Sequence, residues 1–319
     1  MNKYYMNNNN ILQQLKPTKI LGKGSQGTVI LSHDDNYAVK IYTKKANNLR
    51  MLIKIINFFI NYKSLPKTIY KSYHLTENMN SLNRYITNNN LPEHFSYNSI
   101  NNLKILSEKY NMKIRLFEIM ETYNITLKDF IDKIMKNNNI NENLRIEIIH
   151  SLFYQGLFTL LWLYMKKGIL HLDISSENFF VKETDDKELI ININNNTYNV
   201  KLYGYYLVIS DFGYARSIEL IDSDYYKYNY RINLKELNMH PWRDTNDFIK
   251  MFKKYYKILN INNIGIKNNI ANSRFNSTKQ EYRNMIRSYY KKNEKEFKQN
   301  KKNFKDEYLK FFIKYILNM

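Results

Sequence analysis

Apolar and polar residues follow different periods in different parts of the chain. In residues 19–41, apolar β-forming side chains lie on either side of a glycine-rich turn, which predicts strands joined by a tight loop. In residues 48–62, apolar side chains recur every three or four positions and predict one amphipathic helix. Residues 113–120 return to a strand pattern. The chain is therefore predicted to begin with β structure, followed by an amphipathic helix.

The pattern after residue 121 is mainly helical. Residues 127–135 and 145–166 have helical spacing, and the second of these segments is apolar enough to form a central core helix. Residues 194–196 are a plausible hairpin turn, and residues 247–319 are again helical and rich in Lys and Tyr. Short strands are predicted at residues 178–181, 189–193, 198–202 and 207–209.

Asn-rich segments interrupt these patterns. Residues 1–14 are polar and are interpreted as an extension, without the apolar core that a secretory signal needs. Residues 65–111 are interpreted as an inserted or divergent region with one helix near residues 99–109. The longest apolar stretches are shorter than the roughly 20 residues that span a bilayer, so no transmembrane segment is expected.

The net charge of the chain gives limited information about which partners it binds. Lys and Arg total 49 against 29 Asp and Glu, which gives a net charge of +20. Such a field favours anionic partners, including nucleotides, acidic protein segments and anionic surfaces. Codon bias is the alternative cause, because the abundant Asn, Ile, Lys and Tyr all have AT-rich codons. The absence of cysteine excludes disulfides, zinc–thiolate sites and thiol catalysis, and is compatible with a cytoplasmic location.

The first motif with chemical meaning is a glycine string between two predicted strands. It reads G-x-G-x-x-G-x-V, and its glycines would let the backbone approach phosphates without Cβ clashes. Ala38-Val39-Lys40 follows on the next strand, where the ammonium group could bind the α and β phosphates of a nucleotide. The residues of the string assigned to nucleotide binding, besides Ala38 and Lys40, are Leu21, Gly22, Lys23, Gly24, Ser25, Gln26, Gly27 and Val29.

The second motif is H-x-D-x-x-x-x-N, which follows the predicted core helix. It places a carboxylate, Asp173, and an amide, Asn178, on one loop. The carboxylate could accept the proton of an incoming hydroxyl, and the amide oxygen could help to hold a metal bound to phosphates. His171 is predicted to be a structural residue that hydrogen-bonds the backbone. Small-molecule phosphotransferases share this motif, so alone it does not identify the acceptor.

The third motif is Asp211-Phe212-Gly213, which follows an apolar strand. Asp211 is suited to chelating a Mg²⁺ ion that bridges the nucleotide phosphates. Each motif also has a purely structural explanation, such as a hairpin glycine, a strand-end lysine or a turn cap. Their order and their strand or loop contexts together favour an ATP-dependent kinase that uses Mg²⁺.

Over residues 15–319 the chain resembles the eukaryotic-type protein kinases. Residues 119–123 resemble the strand and hinge that hold adenine through backbone hydrogen bonds, which places Met120 at the gatekeeper position and assigns Glu121 and Tyr123 to nucleotide binding. Residues 198–216 and 247–251 resemble the divergent viral, poxvirus-like and haspin-like serine/threonine kinases. In that branch Asp247 would brace the catalytic loop through backbone N–H groups.

The resemblance implies an α+β, two-lobed protein kinase fold. Residues 15–121 would form a small, mainly β N-lobe, and residues 122–319 a larger, mainly α C-lobe with a hairpin insertion near residues 185–206. It also implies transfer of the γ-phosphoryl group of ATP to protein Ser or Thr hydroxyls. Asp173 and Lys40 would be catalytic, and Asn178 and Asp211 would hold Mg²⁺. A large DNA virus is the expected source, with the enzyme in the host cytoplasm or the virion.

Some features depart from the family pattern. Leu172 and Ser175 stand where an arginine and a lysine are usual, and no Ala-Pro-Glu follows Gly213. Residues 48–62 contain no acid to pair with Lys40, and Glu77 is the first acid that follows. A small-molecule phosphotransferase of the choline or aminoglycoside kinase type and a non-catalytic pseudokinase scaffold therefore remain as alternatives.

Overall fold

The computed structural model has mixed helix and strand, so the predicted α+β class is confirmed. It describes residues 20–23, 27–31, 37–42, 49–62, 64–76, 116–123, 125–217, 219–220, 241–258, 305–306, 308–310 and 312–313. The predicted helix near residues 99–109 lies outside these ranges.

The chain forms two compact units. The first unit comprises Met1–Ile125 together with Val208–Tyr214, and the second comprises Thr126–Leu207 and Ala215–Met319. The short segment Val208–Tyr214, which lies between the two parts of the second unit in the sequence, thus belongs to the first unit, and it contains the Asp211-Phe212-Gly213 motif.

The first unit is built on a five-stranded antiparallel sheet with the order β1-β2-β3-β5-β4. Because β3 lies at the centre of this order, its residues have a neighbouring strand on both sides. The strands are β1 (Ile20–Lys23), β2 (Gly27–Leu31), β3 (Tyr37–Tyr42), β4 (Ser72–Thr76) and β5 (Leu116–Glu121).

Helix α1 (Leu49–Asn61) is the helix predicted over residues 48–62. Its apolar stripe recurs at helical spacing and packs against β4 and the helical turn Phe212–Tyr214. The buried members of the stripe are Met51, Leu52, Ile55, Ile56 and Phe59.

The second unit is arranged around a long buried helix. Helix α2 (Leu127–Lys136) is capped by Thr126, whose hydroxyl accepts from the Asp129 N–H. Helix α3 (Glu142–Lys167) is the predicted core helix, and it ends at Gly168, whose φ of 57° lies in the left-handed region that favours glycine. Helix α4 (Pro241–Ile258) packs against α3.

Helix α4 begins earlier than the apolar pattern predicts. The pattern indicated a helix from residue 247, whereas the helix starts at Pro241, a residue suited to a first helical position. Asp244 and Thr245 in its first turn are polar and yet buried. The buried positions of this turn are therefore polar rather than apolar. For that reason the spacing of apolar residues does not mark this turn as part of the helix.

The strands of the second unit form short pairs. β8 and β9 make the predicted hairpin, with alternate residues buried and Asn194 at a positive φ of 52° in the turn. β10 pairs with β7, and β11 pairs with β6. The strands are β6 (Ile169–Leu170), β7 (Phe179–Glu183), β8 (Glu188–Ile193), β9 (Asn196–Lys201), β10 (Tyr205–Ile209) and β11 (Arg216–Ser217).

Gln155 fastens β10 to helix α3 from within the core. It is fully buried, its amide nitrogen donates to the Tyr205 carbonyl at 3.0 Å, and its oxygen accepts from the Leu207 N–H at 2.7 Å. One side chain thus satisfies two backbone groups that water cannot reach. The first part of β10, from Tyr205 to Leu207, is fixed in this way to helix α3.

Within the described residues, helix α3 is the only one long and apolar enough to span a membrane. However, 78% of its most apolar window is buried inside the protein. That degree of burial is typical of a core helix, as predicted, and the apolar composition of α3 is explained by its packing against α4 and the β8–β9 hairpin.

Candidate active site

Lys40 and Asp211 form an ion pair in the first unit, although 171 residues separate them in sequence. The Lys40 Nζ lies 2.5 Å from the Asp211 Oδ1, and Lys40 is only 7% exposed. Asp211 has a φ of 56°, which is unusual for a residue with a side chain and is a form of strain found most often at functional sites. Two separately recognised motifs therefore meet at one position.

Backbone hydrogen bonds hold the Asp211 segment in the first unit. The Tyr70 N–H donates to the Ile209 carbonyl at 3.1 Å, and the Ile209 N–H donates to the Thr68 carbonyl at 2.7 Å. Beyond Asp211, the Phe212 ring is fully buried, stacks on Tyr70 at 5.5 Å and contacts Phe59 of α1 edge-on at 4.9 Å. These contacts anchor the segment on both sides of the carboxylate.

A second carboxylate, Glu118, lies buried on β5, and the sequence analysis did not single it out. It is 1% exposed and is the register partner of Lys40 on the adjacent strand. The Tyr42 hydroxyl donates to one of its oxygens at 2.9 Å, and the Tyr70 hydroxyl donates to the other. An acid with apolar residues on both sides within a strand was the signal that could have revealed it.

The two tyrosines are neutral donors to Glu118. Burial raises the pKa of Tyr42 and of Tyr70 well above the usual value, and the neighbouring Glu118 carboxylate raises both further. Because neither hydroxyl ionises near neutral pH, each can keep donating to the carboxylate. The two tyrosine hydroxyls therefore supply hydrogen bonds to a buried carboxylate, whose burial without partners would cost free energy.

Part of the glycine string lies in β1 and β2. Leu21 is 47% exposed, and Val29 is half-buried and pairs in register with Lys40. A Cβ added to Gly27 would lie 2.0 Å from the Ile41 carbonyl oxygen, so the close approach of β2 and β3 requires glycine there. A Cβ added to Gly22 would meet nothing within 4 Å. Gly24, Ser25, Gln26 and the Lys23 side chain lie outside the described part.

Alanine substitution at these two glycines is expected to have different effects on stability. Gly27→Ala is expected to lower the free energy of unfolding by about 1–3 kcal/mol or more, because backbone atoms of β3 must move to admit the methyl group. Gly22→Ala is expected to change it by less than about 0.5 kcal/mol. Urea unfolding of both variants measures the difference. Equal stabilities would contradict the structural role assigned to Gly27.

The residues expected to resemble a hinge lie at the end of β5. Ala38 is buried and pairs in register with Met120, while Met120 is partly exposed. The Glu121 N–H donates to the Lys71 carbonyl at 3.3 Å, and the Tyr123 hydroxyl accepts from the Lys71 N–H at 3.3 Å. Burial is the main cause that raises the pKa of Tyr123, so its hydroxyl stays neutral. The Glu121 backbone donor is thus already used inside the protein.

In the second unit, Asp173 and Asn178 are brought together by the loop between β6 and β7. The Asn178 amide nitrogen donates to the Asp173 carbonyl at 2.8 Å and to its carboxylate at 3.0 Å. This places the amide oxygen as the atom of Asn178 suited to bind a metal. His171 is buried, and its Nδ1 accepts from the Asp173 N–H at 3.3 Å, so the predicted backbone hydrogen bond of His171 is confirmed.

The acid that braces this loop is Asp244, and the prediction for Asp247 is wrong. The Asp244 carboxylate is buried and accepts from the His171 N–H at 2.5 Å and from the Leu172 N–H at 2.9 Å. Asp247, one turn later, is 40% exposed and lies within 4.0 Å of Arg243 and Lys250. Burial raises the Asp244 pKa, while His171 and the two N–H groups oppose that rise.

The brace acts on a strained residue. Leu172 has a φ of 64°, a left-handed conformation that costs a branched residue about 1–3 kcal/mol. Its N–H is one of the two held by Asp244, so the buried carboxylate offsets the strain where the chain turns towards Asp173. The conformation of the loop therefore depends on helix α4, because Asp244 on that helix lies 72 residues after Leu172 in the sequence.

The donor types fit a hard divalent cation only in part. Asp211 in the first unit offers carboxylate oxygens and Asn178 in the second unit offers an amide oxygen, and each is a type of ligand that Mg²⁺ accepts beside phosphate oxygens. Within the described residues, no group of three or more His, Cys, Asp or Glu could hold a metal without such help. The expected partner of Lys40, Glu77, lies outside the described ranges.

Comparisons with known proteins add no relatives. No protein-family model matches the chain, and no curated protein matches it significantly.

Proposed function

We propose that the chain is an ATP-dependent protein kinase that transfers the γ-phosphoryl group to protein Ser or Thr hydroxyls. The observation that carries the proposal is the Lys40–Asp211 ion pair at 2.5 Å. In a kinase, one lysine binds the nucleotide phosphates and one carboxylate binds the cation that those phosphates hold. The two side chains need to be neighbours, because both act on the same polyphosphate. Chance motifs 171 residues apart would have no reason to meet.

The fold part of the proposal assigns the two units to the lobes of a protein kinase. The first unit, with its antiparallel sheet and one helix, corresponds to the N-lobe, and the mainly helical second unit corresponds to the C-lobe. The proposal also places the enzyme in the cytoplasm of a host cell infected by a large DNA virus, or in the virion.

Each group in the site has a chemical role in this proposal. Lys40 would bind the nucleotide phosphates, and Asp211 and Asn178 would supply oxygens to Mg²⁺, which when bound would neutralise developing phosphate charge. Asp173 orients the acceptor hydroxyl and takes its proton. The Asn178 amide, at 3.0 Å from the Asp173 carboxylate, keeps that carboxylate oriented.

A radiolabelled ATP assay on the purified full chain tests the proposal. Protein mixtures and small-molecule acceptors, such as choline and an aminoglycoside, are supplied in parallel with Mg²⁺. Label in protein supports the proposal, and label only in a small molecule moves the activity to that phosphotransferase class. No transfer in either arm, with no binding of Mg-ATP, would identify a non-catalytic scaffold.

The net charge of +20 leads to a prediction about acceptors. An acidic, casein-like peptide is expected to be phosphorylated faster than a basic, histone-like one, because a positive surface raises the encounter rate with anions. The preference should shrink at several hundred millimolar salt, where the screening length falls to roughly 5 Å or less. ATP is common to both arms, so its own salt sensitivity cancels in the ratio. Equal rates at low salt would show that codon bias explains the lysine excess.

A further inference from the structure

Helix α4 in the second unit has two chemically different faces. Beyond its first turn, the buried face is apolar and aromatic, with Phe248, Phe252 and Tyr256 in the core. The exposed face carries lysines that recur three or four residues apart, so they lie in one row along the helix. This lysine face consists of Lys250, Lys253, Lys254 and Lys257.

The lysine face has little negative charge of its own. Asp247, one turn before it, lies 3.8 Å from Lys250. Among the residues that the structure describes, no acid forms an ion pair with Lys253, Lys254 or Lys257. Partial burial lowers the pKa of Lys253, and the positive charge of Lys250 lowers it further. Cations one turn apart repel each other, so an anion bound to this face would relieve the repulsion.

The loop that carries Asp173 runs along the same helix. Asp244, in the first turn of α4, binds the start of this loop. About three turns and 16 Å later, Tyr255 meets Ser176, since burial raises the pKa of that tyrosine and a hydrogen bond with the Ser176 side chain lowers it. Lys254 is the neighbour of Tyr255 on the helix. The lysine face therefore begins one residue from the contact between α4 and the loop.

Acids near this contact do not cancel the positive charge. Asp132 and Glu177 both raise the pKa of Tyr255, after the larger effect of burial, so both lie in its surroundings. Glu177 pairs with Lys128 at 3.2 Å, which neutralises it. The remaining carboxylate stands against four lysines, and this side of the second unit is therefore positive.

The chemistry of the lysine face suits the carboxylates of a protein. Each ammonium group is a flexible point charge that can pair with Asp or Glu in many geometries. Arginine, which binds phosphate groups through two parallel hydrogen bonds, does not occur on α4 after its first turn. The two tyrosines of the last turns are half-buried or buried, so neither ring is a free platform for a nucleic-acid base. The chain itself has no run of three adjacent acids that could cover the face.

We propose that the lysine face of α4 is the docking site for an acidic segment of the protein substrate. The proposal rests on the proposed kinase function, because it assigns the substrate of that reaction to one surface. Asp173 and Ser176 are at most about 11 Å apart along the chain, so acids a few residues from the acceptor hydroxyl can reach the lysine face. The position of the charge on α4, rather than the net charge of +20, then selects the substrate.

Binding of a fluorescent acidic peptide to the full chain, without ATP, tests the docking site. The probe is a serine peptide flanked by a run of glutamates, and fluorescence anisotropy at low salt measures its dissociation constant. The triple variant Lys253→Gln/Lys254→Gln/Lys257→Gln is expected to bind it about tenfold more weakly, because three exposed charge pairs are lost. Glutamine has nearly the helix propensity of lysine, and the three side chains are exposed, so α4 should keep its fold.

The control variant removes the same number of positive charges elsewhere in the second unit. It is Lys136→Gln/Lys187→Gln/Lys201→Gln, which changes exposed lysines on α2 and at the β8–β9 hairpin. Both variants have the same net charge, so an effect of the overall field would weaken binding equally in both. Weaker binding in the α4 variant alone supports the docking site. Unchanged binding in the α4 variant, or an equal loss in the two variants, would overturn it.

A nucleic-acid competitor decides the class of partner. A single-stranded oligonucleotide with as many negative charges as the peptide is added to the complex of protein and labelled peptide. Unlabelled acidic peptide is expected to displace the probe at a lower concentration than the oligonucleotide does. An oligonucleotide that binds more tightly than the peptide, and loses that binding in the α4 variant, would make the lysine face a nucleic-acid site and overturn the proposal.

Kinetics separate failure of the docking site from failure of the kinase function. In an active enzyme the α4 variant should raise the KM for the acidic peptide about tenfold, and leave unchanged kcat, the KM for ATP and the KM for a neutral peptide. An active wild type whose KM for the acidic peptide is not changed by the substitutions would overturn the docking site alone. A wild type that transfers no phosphoryl group, but binds the acidic peptide through the lysine face, would overturn the kinase function and keep the face as a site for acidic segments.

Discussion

Replacing Asp173 with Asn is expected to lower kcat by about 10²- to 10⁴-fold and to leave the KM for ATP within about twofold. The substitution keeps the shape of the side chain but removes the carboxylate that is proposed to take the acceptor proton. The Asn178 amide now donates to the Asp173 carboxylate at 3.0 Å, and an amide at position 173 can still accept that bond through its oxygen. The fold of the loop should therefore survive, and steady-state kinetics with a peptide acceptor measures the loss.

Glu177→Gln is the matched control for Asp173. Glu177 lies on the same loop, is exposed, and pairs with Lys128 at 3.2 Å. Water screens both charges of such a surface pair, so the pair contributes little to stability and the variant should keep wild-type kcat. A normal rate in Asp173→Asn would move the role of base to another residue, and an equal loss in both variants would indicate damage to the loop rather than loss of a base.

Replacing Asp211 with Ala is expected to abolish the stabilisation of the protein by Mg-ATP. A ligand at 100 times its dissociation constant stabilises the folded state by about 2.7 kcal/mol, which raises the melting temperature measurably. The variant lacks the carboxylate that is proposed to hold Mg²⁺, so the shift in melting temperature should fall close to zero, and the rate of phosphoryl transfer should fall with it. Its unliganded form should also melt lower, because Lys40 loses the partner at 2.5 Å.

A control variant must be destabilised without touching the site. Ile149→Ala meets this requirement, because Ile149 is fully buried on helix α3 in the second unit and the loss of its side chain would leave a cavity. Its melting temperature should fall while the shift on adding Mg-ATP stays as in wild type. A full Mg-ATP shift in Asp211→Ala would contradict the metal role, and no shift in wild type would indicate a scaffold that does not bind ATP.

The positions of most helices and strands follow from the sequence because local periods encode them. Helix α1, helix α3 and the β8–β9 hairpin were all predicted within a few residues. In α1 and in the hairpin, helically spaced or alternate residues are buried, and in α3 a continuous apolar run is buried on all sides. In each case the pattern that predicts the element is the pattern that packs. The start of α4 was not predicted, because the buried residues of its first turn include the polar Asp244 and Thr245.

The sequence by itself determined which residue types were available for phosphoryl-transfer chemistry, since Lys40, Asp173, Asn178 and Asp211 each stand in a short motif. Only the tertiary structure decided which groups meet. It paired Lys40 with Asp211, placed Glu118 opposite Lys40, and gave the loop contact to Asp244 rather than Asp247. Asp244 and Asp247 are one turn apart on the same side of α4, so spacing cannot distinguish them. The register of β3 on β5 and the packing of α4 on the loop depend on contacts between distant segments, and a local period carries no information about them.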